Sequence, residues 1–148
     1  MRSVARQAND SGRFDAVIVN YANTDMVGHS GDIPAAVKAV EAVDTALGRL
    51  VKAVSDAGGT LLVTADHGNV EQMRDPETGE PHTAHTTNPV PLLLVNAPSG
   101  YDRIYSGRLA DIAPTLLELL GLPQPRAMTG HSLLHPAGEA VAERRAAG

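Results

Sequence analysis

The chain has 148 residues, 43% hydrophobic and 20% charged, with a formal charge of −5, which is enough for one ordinary globular domain and excludes a disordered chain. With a single Phe, no Trp and no Cys, its core must be aliphatic and alanine-rich, and disulfides, thiolate catalysis and sulfur-ligated zinc are excluded, leaving oxygen and nitrogen as metal donors. No run of Lys and Arg offers a phosphate-neutralising surface, and no apolar stretch is long enough to direct secretion or cross a bilayer, so a cytoplasmic protein with neither a nucleic-acid nor a membrane partner is expected.

The elements alternate between strand and helix, which predicts an α/β fold with a largely parallel sheet flanked by helices. FDAVIVN, Phe14 to Asn20, is a continuous apolar run after Gly12, as expected of a strand buried on both faces. Asp32 can cap the next helix, with Pro34 in its first turn. Val37, Val40, Val43, Leu47, Leu50 or Val51, and Val54 then recur at helical spacing until Gly58 and Gly59 stop it. Lys38, Arg49 and Lys52 fall between them, on the solvated face. TLLVTA, Thr60 to Ala65, is a second buried strand and VPLLLVN, Val90 to Asn96, a third. Between these strands, Glu71 to Pro81 has the Asp, Pro and Gly chemistry of an exposed turn or hairpin tip. Gly107 to Leu120 reads as a helix with Asp111 as its cap, ended by Pro123 and Pro125. Residues 135–148 are expected to be a loosely held tail following a body of residues 1–134, with His131 and His135 at the surface. No repeat or internal boundary is visible.

The polar residues of interest stand just beyond strand ends, where open α/β sheets bind ligands. Asp25 and His29 in NTDMVGHSG share one face if the segment turns helically, and Gly28 beside them allows close approach; the bland alternative is a capping Asp and a surface His. Asp66 and His67 in TADHGN follow a strand directly and can converge through a sharp turn, or simply form an Asx turn. In PHTAHTTNPVP, either His82 or His85 can reach such a site while the other orients it from behind or lies in a polar loop. Carboxylate and imidazole donors of this kind suit divalent ions.

VNYANTDMVGHSGD, KAVEAVDTALGRL, LLVTADHGN, EQMRDPETGEPHTAHTTNPVP and GRLADIAPTLLELLGLPQPRAMTGHSLL, taken in order, resemble the C-terminal part of the cofactor-independent phosphoglycerate mutases, of the alkaline phosphatase superfamily. The similarity runs from about Phe14 to Leu134. The resemblance implies that residues 1–134 are the C-terminal part of a metal-binding, alkaline-phosphatase-like domain. It also implies metal-dependent interconversion of 3-phosphoglycerate and 2-phosphoglycerate, in glycolysis and gluconeogenesis, through a phosphoserine. Asp25, His29 and His85 would hold one ion and Asp66 and His67 a second, with Mn2+ favoured and Zn2+, Co2+ or Mg2+ as alternatives.

In the family, the nucleophilic serine, a further aspartate and the Arg residues that grip substrate come from regions that nothing here matches. Ser3, Ser11, Ser30, Ser55, Ser99, Ser106 and Ser132 all lie outside the family's nucleophile motif, so no catalytic residue is assigned. This chain, a truncated counterpart of the enzyme, is expected to be inactive alone and to meet phosphoglycerate only with the missing N-terminal portion. A homo-oligomer or a complementing chain would cover the edges left open. The alternatives are a non-catalytic metal-binding or association module, or another phosphatase or phosphomutase of the superfamily, including a phosphopentomutase.

Overall fold

The computed structural model describes residues 11–138, which fall into two compact units where the sequence shows no boundary. One runs through Gly59 and resumes over Thr64–Pro91; the other takes Thr60–Val63 and the chain from Leu92 onward.

The first unit is built on two helices, α1 (Asn23–Gly28) and α2 (Ile33–Asp56). The start of α2 follows from its sequence: the Asp32 carboxylate accepts the Ala35 N–H at 3.0 Å, satisfying a donor that the first turn leaves open. Pro34 sits where its missing N–H costs nothing. Lys52 and Asp56 pair one turn apart at 3.0 Å near its end. The buried face carries Ala36, Ala39, Ala53 and Val54, so small side chains set the close packing. Val37 and Val40, expected inside, are 51% and 44% exposed. Each stands about 100° round the helix from the alanine before it, and both line an open apolar groove with Ile33, Val70 and Met73.

The hairpin tip is as expected. The Asp75 N–H donates to Glu80 O and its carbonyl accepts the Gly79 N–H, each at 2.9 Å, and its carboxylate accepts the N–H groups of Glu77 and Thr78. Phe14–Asn20 is a correction: it forms no strand and is exposed throughout, with Ile18 at 88%. A strand exists only through its ladder partners, and none of the described residues pairs with it.

The second unit holds β1 (Leu61–Thr64, all but its last residue) paired with β2 (Leu92–Val95), and β3 (Tyr101–Ile104) paired antiparallel with β4 (Leu134–Pro136). The chain is α/β, but the described strands make two two-stranded sheets rather than a largely parallel one. The β4 strand corrects another expectation. His135, read as a surface residue of a tail, is fully buried, because β4 pairs Arg103 with it. Its Nδ1 donates to Pro136 O at 2.8 Å and lies 3.2 Å from Asp102 Oδ1, with the ring against Tyr105. Residues 139–148 of the expected tail lie outside the described residues. No helix among the described residues is long and apolar enough to cross a membrane.

A short 3-10 turn, Leu109–Asp111, leads into α3 (Ile112–Leu119). Asp111 stands at the cap position of α3, but its carboxylate turns back to accept the Arg108 N–H at 2.8 Å and across to accept the His131 N–H at 3.0 Å. Thr115 extends the tie, donating to Asp111 O and accepting the Leu133 N–H. Both side chains are fully buried. Burial works to raise the Asp111 carboxyl, yet the Arg108 and His131 donors outweigh it and hold it below the usual carboxylate range. A depressed folded pKa adds stability that is complete above the unfolded value of about 4 and is lost as pH falls through the folded one. Asp111→Asn should cost about 1–3 kcal/mol at pH 7, since an amide N–H2 must then face a backbone N–H. It should also flatten the loss of stability below pH about 4. Urea midpoints at pH 7 and in mild acid, compared with wild type, read both effects.

Candidate metal centre

Every residue of the site belongs to the first unit. The α1 turn returns the chain so that His29 N meets Asp25 O at 3.3 Å, which places both side chains on one face as their spacing implied. There Asp25 Oδ1 and His29 Nε2 stand 3.2 Å apart. The loop beyond the hairpin delivers His85, whose Nε2 lies 3.0 Å from Asp25 Oδ1 and 3.1 Å from His29 Nε2. Three donor atoms thus form a nearly equilateral triangle. A divalent ion about 2.1 Å from nitrogen and oxygen ligands spaces neighbouring donors by about 3.0 Å at right angles, so the triangle fits one face of such a coordination shell.

The tautomer of His29 suits this role. Its Nδ1 lies 2.6 Å from Thr83 O; a carbonyl only accepts, so Nδ1 carries the proton and Nε2 turns its lone pair inward. Asn69 does the same service for the carboxylate. Buried at 6% exposure, it donates from Nδ2 to Asp25 Oδ1 at 2.9 Å. Partial desolvation raises the Asp25 carboxyl, but the Asn69 amide and the His29 and His85 rings outweigh that and hold it below the usual carboxylate range.

The remaining expected ligands are placed differently. His67 stacks on His85 with ring centroids 3.7 Å apart, and its Nε2 lies 4.0 Å from Asp25 Oδ1. Asp66 is 77% exposed at its side chain, with Oδ1 3.7 Å from His67 Nε2. Among the described residues, Asp25, His29 and His85 gather as one ion-sized group, with His67 against it and Asp66 beside His67. Of the histidine pair left open by the sequence, His85 reaches the group; His82 does not, and its Nε2 is buried without a partner. Neither Thr83 nor Asn69 carries a sequence signal of this role, one because it acts through its backbone carbonyl, the other because Asn after Gly reads only as a turn.

Comparison with known proteins agrees with this chemistry. A model of the metalloenzyme superfamily matches residues 1–124. The chain is 66% identical to the 2,3-bisphosphoglycerate-independent phosphoglycerate mutase of Cereibacter sphaeroides over 121 residues, 82% of this chain and 24% of that one. It is 63% identical to its counterpart from Rhodopseudomonas palustris over 129 residues, 86% and 25% respectively. A crystal structure of Leishmania mexicana phosphoglycerate mutase at low cobalt concentration superposes with a TM-score of 0.79 at 35% identity, covering 89% of this chain and 27% of that one. The chain spans about a quarter of the length of the curated relatives it matches. With a donor triangle of oxygen and nitrogen and a match across most of its length, the chain belongs to the metalloenzyme superfamily.

Proposed function

We propose that this chain supplies the ion-holding part of a phosphoglycerate mutase that interconverts 3-phosphoglycerate and 2-phosphoglycerate in the cytoplasm, within glycolysis and gluconeogenesis. The observation that carries the reading is the triangle of Asp25, His29 and His85, with edges of 3.0–3.2 Å, built on segments that resemble the mutases. Asp25, His29 and His85 hold one divalent ion, Mn2+ in preference to Zn2+, Co2+ or Mg2+, and Asp66 with His67 contributes to a second. Bound there, such ions supply charge neutralisation and Lewis acidity to a transferring phosphoryl group. Thr83 and Asn69 keep the imidazole and carboxylate aimed, so the ligands need no rearrangement on loading. The nucleophile and the substrate-gripping Arg residues come from outside these residues, and the parent fold is the larger alkaline-phosphatase-like domain, whose sheet is largely parallel.

The exposed run Phe14–Asn20 favours association as well. Ile18 at 88% and Phe14 at 59% exposure leave apolar surface that a complementing chain or another copy would cover. The purified chain should show no mutase turnover alone, and should show Mn2+-dependent turnover when the N-terminal portion of a close relative is added in trans. Turnover by this chain alone, or silence in the mixture with every divalent ion tried, counts against the proposal.

A further inference from the structure

Glu71 lies outside the donor group, yet both of its carboxylate oxygens are committed. Oε2 accepts the Asn69 N–H at 2.5 Å, on the loop that carries Asp66 and His67. Oε1 accepts the Thr86 hydroxyl and, at 3.0 Å, the Asn88 amide, both on the loop that carries His85. The backbone makes the same tie, because Thr86 N donates to Gly68 O at 2.9 Å. A side chain at Gly68 would run into both Thr86 Oγ1 and the Glu71 carboxylate, so this close approach requires glycine.

The consequence lies one bond further in. Thr86 follows His85 directly, and Asn69, whose N–H the carboxylate holds, directs its own amide to Asp25. The face-to-face stack of His67 on His85, at 3.7 Å and 23°, spans the same two loops. We propose that Glu71 is a positioning residue: by clamping the loop of His67 to the loop of His85, it fixes the stack of their rings and, through Asn69, the direction of the Asp25 carboxylate. Its predicted effect on ion affinity rests on the divalent-ion reading above; its effect on ring geometry does not.

The test uses the full chain as wild type, Glu71→Gln, Thr86→Val and Thr86→Ser. Glutamine keeps the size of the side chain but turns an N–H2 toward one of the two sets of donors. In metal-free protein, NMR signals of the His67 and His85 ring protons report the stack. They should shift in E71Q and T86V and stay in place in T86S, which keeps the hydroxyl. On titration with MnCl2, E71Q should lose about 10- to 100-fold in affinity, as loss of outer-shell partners does, while its thermal midpoint stays well above the temperature of measurement. Unshifted ring signals in E71Q overturn the assignment, as does wild-type affinity in that variant. So does a midpoint lowered to the measuring temperature, which would make the role merely structural. If the wild type itself fails to bind Mn2+, the divalent-ion reading falls, and the ring signals still decide the role of Glu71.

Discussion

Replacing His85 with alanine is expected to lower the affinity of the chain for Mn2+ by more than about 100-fold, beyond the loss typical of outer-shell partners. His85 Nε2 stands 3.0 Å from Asp25 Oδ1 and 3.1 Å from His29 Nε2, so it is one vertex of a three-donor face. Its removal leaves one carboxylate and one imidazole of the three-donor face, so the ion loses a third of the ligands gathered there. The change also frees His67, whose ring rests on His85. Because the His85 side chain is 49% exposed, the fold should lose little, and the thermal midpoint should stay close to wild type. His82→Ala is the control: it comes from the same loop, lies outside the donor group, and should bind Mn2+ as wild type does. Free Mn2+ measured by EPR during titration separates the variants; equal affinities for wild type and H85A would remove the basis for the site.

Local chemistry explains which features were legible in the sequence. The second helix could be bounded almost to the residue, because Asp32, Pro34 and the closing glycines act on their nearest neighbours. The hairpin tip at Asp75 was legible for the same reason. Asp25, His29 and His85 were visible as donors, and the helical turn that the spacing of the first two requires is the one that forms. What failed depended on partners distant in the chain. Phe14–Asn20 has the composition of a buried strand, but burial is a property of what lies opposite, and nothing in the run itself says that no strand will pair with it. His135 is buried for the converse reason: a three-residue Leu-His-Pro stretch beside an Ala-rich end is too short to signal that Tyr101–Ile104 will take it in as a strand. Residues that orient ligands were the least legible. Thr83 acts through a carbonyl that every residue has, and Asn69 and Glu71 act through contacts that exist only once two loops meet.

The close packing of α1 on Asn69 leads to a second expected result, the loss of both stability and affinity in Gly28→Ala. A Cβ at position 28 would overlap the Asn69 carboxamide and come within 3.0 Å of Val70 Cγ1. Overpacking of this kind costs about 1–3 kcal/mol. The part that must give way is the amide that donates to Asp25 Oδ1 at 2.9 Å, so the carboxylate loses its orienting partner, and Mn2+ affinity should fall by about 10-fold or more. A helix that tolerated alanine would show neither effect, since alanine is otherwise the better helix former. Coupling separates the collision from a general weakening of α1. Asn69→Ala alone removes the same hydrogen bond, and in the double variant G28A/N69A the overlap with the carboxamide has vanished and only the Val70 contact remains, so the stability cost should fall well short of the sum of the single variants. Urea midpoints and Mn2+ titrations on all four proteins complete the cycle. Additive costs would mean that Gly28 and Asn69 do not meet, and the orientation of Asp25 would then need another source.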